Sequence, residues 1–361
     1  MSYLVLDGVA KRFGKDEVLK DASLSIEKNE MVAIFGPSGV GKTVLLRLIS
    51  GVAPPDAGDI RVGGESVLGT SPEVRETGVA FQNFALYPHM NAFENIASPL
   101  RARGADEAEV KRKVQETGEL LKIAHVLHHL PRQLSNGQKQ RTALGRALVR
   151  RPKIILLDDP LRNVDAKLRY EMRLELPRLL KRFESTVLYV TQDYKEAMAL
   201  GERVAVLFDG RFQQVDHPAA VYRSPRHVEI ARLFGDPTIN LYPIRPTKGE
   251  GGHEVTVLGQ TLRLKGRAGL DRPCLIGIRP EDVHVEQEPS EGSFPVELDA
   301  VTPLNVRTVL FLRTKEREEV FATCSESRGE RFGRDHRQVH ARVDFEKALL
   351  FDEATGERLA A

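Results

Sequence analysis

The stretch MVAIFGPSGVGKTVLLRLIS, residues 31–50, decides the fold of this chain. A short apolar run, MVAIF, is followed at once by a glycine-rich turn and then by the helical pattern KTVLLRLIS. The turn matches G-x-x-x-x-G-K-[ST], in which the glycines let successive backbone N–H groups point at phosphate oxygens. The start of the helix adds its partial positive charge at the same place. We therefore predict a strand–loop–helix unit that binds the phosphates of a nucleotide.

Two side chains of this phosphate cradle have specific predicted roles. Lys42 is expected to reach the β- and γ-phosphates, and the hydroxyl of Thr43 is expected to ligate Mg²⁺. The alternative is a glycine turn that merely joins a strand to a helix. The nucleotide-binding residues predicted here are consecutive: Gly36, Pro37, Ser38, Gly39, Val40, Gly41, Lys42, Thr43 and Val44.

A second apolar run ends in two carboxylates. In IILLDDP, residues 154–160, Asp158 comes at the end of a predicted buried strand. A carboxylate at that edge can face Mg²⁺ directly or through water. An apolar run followed by aspartate is more often a helix cap or a turn, but together with the cradle it predicts a metal–nucleotide site.

The first two-thirds of the chain alternates strand and helix patterns. The runs TGVAF (77–81) and TVLYVT (186–191) have the length of buried strands and, with the two runs above, indicate an α/β layer of mainly parallel strands. From Tyr87 to about Arg151 the pattern is helical. We therefore predict a helical subdomain that interrupts the sheet.

The residue composition and the apolar pattern of the sequence change after Phe234. GDPTINLYPIRP, residues 235–246, is rich in proline and glycine and indicates a domain boundary. Short β-like runs such as CLIGI (274–278) and EVFATC (319–324) follow, separated by turn residues. They predict a small all-β module of barrel or sandwich type. The predicted domains are residues 1–235, with the helical subdomain at about 87–151, and residues 236–361.

Composition excludes several classes of protein. A formal net charge of +2 in 361 residues argues against nucleic-acid binding. No run of 18 apolar residues is present, so the sequence predicts no membrane-spanning helix. The two cysteines, Cys274 and Cys324, lie far apart without metal-ligand spacing, which suits buried thiols in a reducing cytoplasm.

Several segments carry a resemblance to a known family. LSNGQKQRTALGRAL, residues 134–148, resembles the LSGGQ signature of ABC transporter ATPases, and the other marks of that family follow in the expected order. They are FQNFALYPHM (81–90) for the glutamine loop, LRNVDAKLR (161–169) for the D-loop, VTQDYKEAMALGERVAVL (190–207) for the switch segment, and IGIRPEDV (276–283) with FDEATGERL (351–359) for the C-terminal β-domain of maltose-type sugar importers.

The resemblance covers nearly the whole chain and implies a fold and a mode of action. The implied fold class is α/β: a P-loop ABC ATPase domain with a helical subdomain, followed by a small OB-like all-β domain. Two such subunits face each other head to tail, with ATP between the cradle of one subunit and the signature of the other. Closure on ATP and opening after hydrolysis move the membrane subunits.

The resemblance also implies roles for individual residues. Phe13 is in the place of the aromatic residue that stacks on adenine, and Gln82 senses the γ-phosphate and Mg²⁺. The implied metal residues are thus Thr43, Gln82 and Asp158. The residues implied to contact the nucleotide of the opposite site are Ser135, Asn136, Gly137, Gln138 and Asp165.

The sequence departs from the family pattern at five positions. Asp159 stands where the family has the glutamate that polarises the attacking water, and Gln192 stands where it has histidine. A general base must lie within hydrogen-bond reach of its proton, and aspartate is one methylene shorter than glutamate. The remaining departures are Asn136 for glycine in the signature, Arg162 for serine in the D-loop, and Val44 for a hydroxyl residue after the cradle. The catalytic residues implied for this chain are therefore Asp159, Gln192 and Gln82.

The resemblance and these departures together lead to a functional hypothesis. The chain is predicted to energise import of a sugar, polyol or related solute from the cytoplasmic face of the bacterial inner membrane, using ATP and Mg²⁺. Its predicted partners are two membrane permease subunits, an external solute-binding protein and a second ATPase subunit. Because the changes fall in its own site and leave the signature nearly whole, the pattern favours a slow site in a heterodimer. A homodimer with two slow sites, and a regulatory ATP-binding protein with little hydrolysis, remain open.

Overall fold

The computed structural model describes residues 2–249, 252–264, 270, 272–304, 307–332 and 337–359. The chain divides into two compact units, residues 1–221 and residues 222–361. The boundary predicted between residues 235 and 236 falls inside the second unit. Within the described ranges, no helix is both long enough and apolar enough to cross a bilayer.

The first unit is built on two sheets. Its described strands are β1 (Ser2–Phe13), β2 (Asp16–Glu27), β3 (Met31–Phe35), β4 (Ala57–Val62), β5 (Glu65–Ser66), β6 (Thr77–Ala80), β7 (Ile154–Asp158), β8 (Thr186–Thr191), β9 (Arg203–Phe208) and β10 (Arg211–Asp216). Its described helices are α1 (Lys42–Ser50), α2 (Ala92–Arg101), α3 (Glu107–Leu120), α4 (Asn136–Leu148), α5 (Ala166–Lys181), α6 (Tyr194–Leu200) and α7 (Pro218–Arg223), the last two residues of which belong to the second unit.

The central sheet has the order β10-β9-β3-β8-β7-β6, and only its β10–β9 edge is antiparallel. The apolar runs quoted above form its parallel strands. Every residue of β7 is buried, and the two faces of the strand join different cores. Ile154 and Leu156 pack in the core that contains α1, whereas Ile155 and Leu157 pack against the helical segment. By this alternation Asp158 faces the side of the sheet on which α1 lies.

A second, antiparallel sheet has the order β2-β1-β4-β5 and was not predicted as such. In β1, Leu4 and Leu6 are buried in strict alternation, but the next buried apolar residue is Val9. The pairing of β1 with β2 shifts register between Leu6 and Val9, so the period of two breaks there. Because of this irregularity, the spacing of apolar residues in the sequence does not indicate the strand.

The segment between β6 and β7 contains α2, α3 and α4, together with two short 3-10 turns. Each of these helices starts at a polar cap: Asn91, Asp106 and Ser135 accept hydrogen bonds from backbone N–H groups of the first turn. Their apolar faces pack against each other and against β7 in one core. The helical pattern read from Tyr87 to Arg151 therefore corresponds to helices packed on one face of the central sheet.

The second unit consists mainly of antiparallel strands. Its described strands are β11 (Asn240–Ile244), β12 (Thr247–Gly249), β13 (Gly252–Val257), β14 (Gln260–Leu264), β15 (Cys274–Ile278), β16 (Val283–Glu286), β17 (Phe294–Leu304), β18 (Arg307–Arg313), β19 (Glu319–Ser325), β20 (Arg337–Val343) and β21 (Leu349–Asp352). They form sheets of order β11-β15-β21, β12-β13-β14 and β16-β20-β17-β18-β19, and two short helices, α8 (Val228–Leu233) and α9 (Glu326–Gly329), accompany them.

A buried arginine, Arg279, binds the backbone of the helical segment at the start of this unit. The side chain of Arg279 is almost fully buried and donates hydrogen bonds to the carbonyls of Ala231, Phe234 and Tyr222. Its guanidinium carbon also lies 4.0 Å from the centre of the Tyr222 ring. The arginine thus satisfies backbone groups that helix ends leave without intrahelical partners.

We expect Arg279→Ala to lower the free energy of unfolding of the second unit by about 3 kcal/mol, because buried carbonyls lose their donor. Urea denaturation of the full chain, followed by a probe in the second unit, measures this. Arg342→Ala is the matched control, since Arg342 is exposed on β20, and it should change stability by less than about 0.5 kcal/mol. If the two variants were equally stable, the hydrogen bonds of Arg279 would not contribute to the free energy of unfolding of the second unit.

Candidate functional site

The predicted site lies at the carboxyl ends of three neighbouring parallel strands. The sheet order puts β8 between β3 and β7. Phe35, the last residue of β3, pairs with Thr191, the last residue of β8, so these strands end level. The segments that follow the strands therefore lie side by side: the cradle after β3, Gln192 after β8 and Asp159 after β7. Open α/β sheets bind their ligands at this edge.

The cradle requires glycine at its two ends for different reasons. A Cβ on Gly36 would lie 2.2 Å from the carbonyl oxygen of Leu207 on β9, so no side chain fits there. Gly41 caps α1 with φ +101°, a left-handed conformation that favours glycine. A Cβ on Gly41 would also lie 2.8 Å from Val18 Cγ1. The loop is therefore packed between β9 and β2, which restrains the path of its backbone.

Lys42 is buried inside this loop. Its Nζ donates hydrogen bonds to the carbonyls of Gly36 at 2.7 Å and Pro37 at 2.6 Å. Burial lowers the pKa of Lys42, while the charges of Asp159 and Asp158 act in the opposite direction. A buried ammonium group on which two carboxylates act is suited to contact with phosphate oxygens.

Thr43 and Asp158 form the second part of the site. The Thr43 hydroxyl donates to the Asp158 carboxylate, with distances of 3.0 Å to Oδ2 and 3.2 Å to Oδ1. Burial raises the pKa of Asp158, and the hydrogen bond from Thr43 and the charge of Lys42 partly offset this. A hydroxyl and a carboxylate this close are oxygen ligands of the kind Mg²⁺ takes when it also binds substrate phosphates. The residues present therefore fit the metal predicted from the sequence.

Asp159 is held in an unusual conformation. Its backbone has φ +45°, and its N–H donates to the carbonyl of Val190 at 2.8 Å. Its carboxylate is nearly buried and lies 3.7 Å from Nη1 of Arg162. Burial raises the pKa of Asp159, whereas the charge of Arg162 lowers it. The position of this carboxylate is thus restrained by a turn and by an ion pair with Arg162.

Gln192 follows β8 directly and is half-buried. On one side of it, the Thr191 hydroxyl accepts from the N–H of Asp193 at 3.0 Å. On the other, Asp193 caps α6 and accepts from Nη2 of Arg173 at 2.7 Å. Both neighbours of Gln192 are therefore fixed, and α5 is connected to the switch segment through Arg173.

A buried carboxyl behind the switch segment was not predicted. Glu196 is 1% exposed and accepts hydrogen bonds from the hydroxyls of Tyr189 and Thr191, both at 2.9 Å. Burial raises the pKa of Glu196, and these hydrogen bonds oppose that shift. The contacts tie α6 to β8 and so help to define the position of Gln192. In the sequence, a glutamate in the first turn of a helix is ordinary and carries no signal of burial.

Phe13 ends β1 at the tip of the β1–β2 hairpin and is 50% exposed. The ammonium group of Lys11 lies 5.7 Å from the centre of its ring. The same hairpin contacts the cradle through Val18 near Gly41. An exposed aromatic ring beside a phosphate cradle is suited to stacking on a base.

The signature residues form the exposed start of α4. Ser135 and Gln138 make a capping box: the Ser135 hydroxyl accepts from the N–H of Gln138 at 3.3 Å, and Gln138 Oε1 accepts from the N–H of Ser135 at 2.9 Å. Ser135 and Asn136 are exposed, and Gly137 is buried. A Cβ on Gly137 would lie 2.2 Å from a methyl group of Leu168, so α5 packs closely on this helix start. The helix presents its N-terminus outward, where a second molecule can reach it.

The D-loop connects two predicted site residues. Asp165 caps α5 by accepting from the N–H of Leu168 at 3.0 Å. Asn163 Nδ2 donates to the backbone carbonyl of Gln82 at 2.9 Å. The structure thus joins Gln82 to the D-loop through the backbone carbonyl of Gln82. Of the other predicted site residues, Thr43 and Asp158 are in direct contact, as described above.

Arg146 on α4 is a further residue that sequence reasoning missed. It donates to the carbonyls of Ala85 at 2.7 Å and Phe84 at 3.2 Å, and it lies 5.2 Å from the centre of the Tyr87 ring. Phe84 and Ala85 have φ of +62° and +48°, two consecutive left-handed residues without glycine. The C-terminal part of α4, the helix that begins at the signature, therefore binds the strained loop after Gln82.

Comparisons with known proteins show which proteins this chain is similar to. A family model described as "ABC transporter" matches residues 19–162. The chain is 37% identical to the sn-glycerol-3-phosphate import ATP-binding protein UgpC of Cereibacter sphaeroides, over 99% of this chain and all of that one. It is 36% identical to the trehalose/maltose import ATP-binding protein MalK of Thermococcus litoralis, with the same coverage.

Two further similarities concern osmoprotection and the fold. The osmoprotective compounds uptake ATP-binding protein GgtA of Synechocystis is 38% identical over 84% of each chain. The dimeric, post-hydrolysis structure of the ATP-binding cassette MJ0796 with ADP and Pi is 32% identical, with a TM-score of 0.54, over 60% of this chain and 98% of that one. The fold class predicted from the sequence, a P-loop α/β ATPase domain with further β-strands at the C-terminus, is confirmed.

Proposed function

The chain belongs to the ATP-binding proteins of the ABC transporters, and we propose that it is the subunit that energises import of a small organic solute through membrane partners. The observation that carries this proposal is the Lys42–Thr43–Asp158 arrangement at the sheet edge, in a chain that also presents an exposed signature helix. Binding of ATP with Mg²⁺ follows from the family and the fold. Coupling to import is supported by end-to-end similarity to importer subunits.

The solute class is inferred from the relatives. The names of these relatives refer to a polyol phosphate, two disaccharides and osmoprotective compounds. We propose a sugar, a polyol or a related solute, bound by the permease subunits and an external binding protein and not by this chain. The protein would then be peripheral at the cytoplasmic face of the bacterial inner membrane.

Each predicted residue receives a role in this proposal. Lys42 contacts the β- and γ-phosphates, Phe13 stacks on adenine, and Gln82 links the γ-phosphate to the D-loop. Thr43, Asp158 and Gln82 hold Mg²⁺, which neutralises charge on the phosphates. The exposed start of α4, with Ser135 at its cap, offers N–H groups to ATP bound on a second subunit. Asp165 fixes the turn that lies beside that interface.

We further propose that the chain's own site hydrolyses ATP slowly. Asp159 carries the charge of a general base, but its side chain is one methylene short and is paired with Arg162 at 3.7 Å. Gln192 offers a neutral amide where the family has an imidazole. Both positions belong to the site on this chain, whereas the signature keeps Ser135 and Gly137. The resulting proposal is a heterodimer in which the fast site lies on the partner subunit.

Two other arrangements are compatible with the family. A homodimer would contain two slow sites, and an ATP-binding regulatory or scaffold protein would close on ATP with little turnover. ATPase measurements on purified proteins separate all three. We expect a low rate for this chain alone and a high rate when it is assembled with its permeases and an ABC ATPase subunit that has glutamate and histidine at the two positions.

The control for this experiment is the same complex carrying Lys42→Ala in this chain, which removes the phosphate contact in the slow site. Stimulation by a loaded solute-binding protein identifies an importer and not a scaffold. If the lone chain hydrolyses ATP as fast as the assembled complex, the slow site is disproved. If the complex responds to no solute-binding protein, the import function is disproved.

A further inference from the structure

Arg162 lies at a point where its charge can act on a bound nucleotide. It follows the turn that begins at Asp159, and its backbone N–H donates to the Asp159 carbonyl at 3.2 Å. This turn brings the guanidinium back toward the strand end, 3.7 Å from the Asp159 carboxylate. Arg169 on α5 supports the turn by donating to the carbonyls of Leu161, Arg162 and Val164. The position of Arg162 is therefore built into the fold.

The charge of the guanidinium also influences the cradle. Its charge acts on Lys42, whose pKa it lowers in addition to the larger effect of burial. Lys42 itself lies within hydrogen-bond distance of the cradle carbonyls of Gly36 and Pro37. Arg162 and Lys42 thus supply positive charge from two different components of the site, the D-loop and the cradle.

The ion pair with Asp159 leaves the arginine available to a second anion. A separation of 3.7 Å is longer than a charge-assisted hydrogen bond. The Arg162 side chain is 48% exposed, whereas the Asp159 side chain is 9% exposed. A guanidinium has five N–H donors in a planar fork that matches the oxygens of a phosphate group. A terminal phosphate placed beside Asp159 would meet this fork.

Charge balance also calls for a cation at this place. Asp158 and Asp159 contribute two negative charges, on which the positive charges of Lys42, Arg162, Arg47 and Arg169 act. A magnesium-bound triphosphate adds further negative charge, and Gln192 supplies none to offset it. Without Arg162, a γ-phosphate would approach Asp159 with one cation fewer to screen the two anions from each other.

We infer that Arg162 is a γ-phosphate ligand of this chain's own nucleotide site, and that it makes the site prefer a triphosphate over a diphosphate. The inference rests on the proposed ATP site and deepens it. Arg162 supplies the cation that the neutral Gln192 does not. Because it contacts both Asp159 and the terminal phosphate, it holds the triphosphate in place and keeps the short carboxylate from the attacking water.

Binding affinities of the full chain test this inference. Isothermal titration calorimetry is carried out with Mg²⁺ and either AMP-PNP, which keeps a γ-phosphate group, or ADP, which lacks it. Arg162→Ser, which restores the family residue, should weaken AMP-PNP binding about five- to tenfold and change ADP binding less than about twofold, as expected for loss of one charge-assisted contact. Arg162→Lys should keep part of the preference, because it retains the charge without the fork.

Arg178→Ser is the matched control, since Arg178 is exposed near the end of α5, and it should alter neither affinity. Unchanged ADP binding by Arg162→Ser also shows that the site remains folded. If that variant loses affinity equally for both nucleotides, or for neither, Arg162 is no γ-phosphate ligand. If the wild-type chain binds neither nucleotide, the proposed ATP site itself is wrong, and the inference with it.

Discussion

Replacing Asp159 by glutamate and Gln192 by histidine should raise the ATPase rate of this chain at least about tenfold. A general base in reach of the attacking water contributes about 10²–10⁴-fold, and the aspartate lacks one methylene of that reach. The carboxylate of glutamate reaches beyond the position that the Asp159 carboxylate occupies beside Arg162. Histidine adds a titratable donor at the γ-phosphate. Steady-state phosphate release by the purified variant, compared with the wild-type chain, measures the gain.

The backbone at position 159 affects how this experiment must be controlled. Its φ of +45° favours aspartate over glutamate, so the substitution carries a conformational cost of about 1 kcal/mol. Thermal unfolding must therefore show that the double variant is folded at the assay temperature. Asp159→Asn with Gln192→His is the matched control, because it keeps the length of the aspartate and removes its charge, and its rate should stay low. A folded double variant with no gain over wild type would refute our account of these two positions.

In the assembled transporter, Ser135→Arg in this chain should reduce ATP hydrolysis more than about tenfold, whereas Asp159→Asn should change it less than about twofold. Ser135 begins an exposed helix whose N–H groups are proposed to serve the fast site on the partner subunit. An arginine there removes the cap and introduces bulk at the interface. Asp159 is proposed to serve only the slow site of this chain. The assay is ATPase activity of the reconstituted complex at saturating ATP.

The partner subunit provides the converse measurement. Replacing its catalytic glutamate should abolish hydrolysis, while the corresponding change of its signature serine should have little effect. Asp159→Asn and Ser135→Arg with equal effects would mean that both sites turn over alike. That outcome would favour a symmetric pair over the asymmetric one proposed here.

The cradle and its contact with the Asp158 carboxylate could be predicted because both depend on local sequence patterns. Gly36 to Thr43 is one uninterrupted motif between a strand and a helix, and Asp158 ends a fully apolar run. The alternation of β7 then determines the face on which the carboxylate appears, which is the face of α1 and Thr43. Short-range patterns of this kind specify both the element and the side of the sheet.

The contacts that restrain the site could not be predicted in the same way. Arg146 and Ala85 are 61 residues apart, and a buried arginine–carbonyl contact leaves no periodic signal. The substitution at Arg162 was visible in the sequence, but its ion pair with Asp159 depends on a turn whose first residue has a positive φ. Glu196 resembles any glutamate in a first helical turn until β8 places two hydroxyls against it. Each of these features arises only when distant segments meet.

The most direct test of the slow-site proposal is a cryo-EM structure of the complete transporter trapped with ATP, Mg²⁺ and vanadate during turnover. We expect intact ATP in the Gly36–Thr43 cradle of this chain, facing the partner's signature, and ADP with vanadate in the partner's cradle, facing Ser135. ADP with vanadate in the cradle of this chain would disprove the slow site, because it would show that Asp159 supports hydrolysis there.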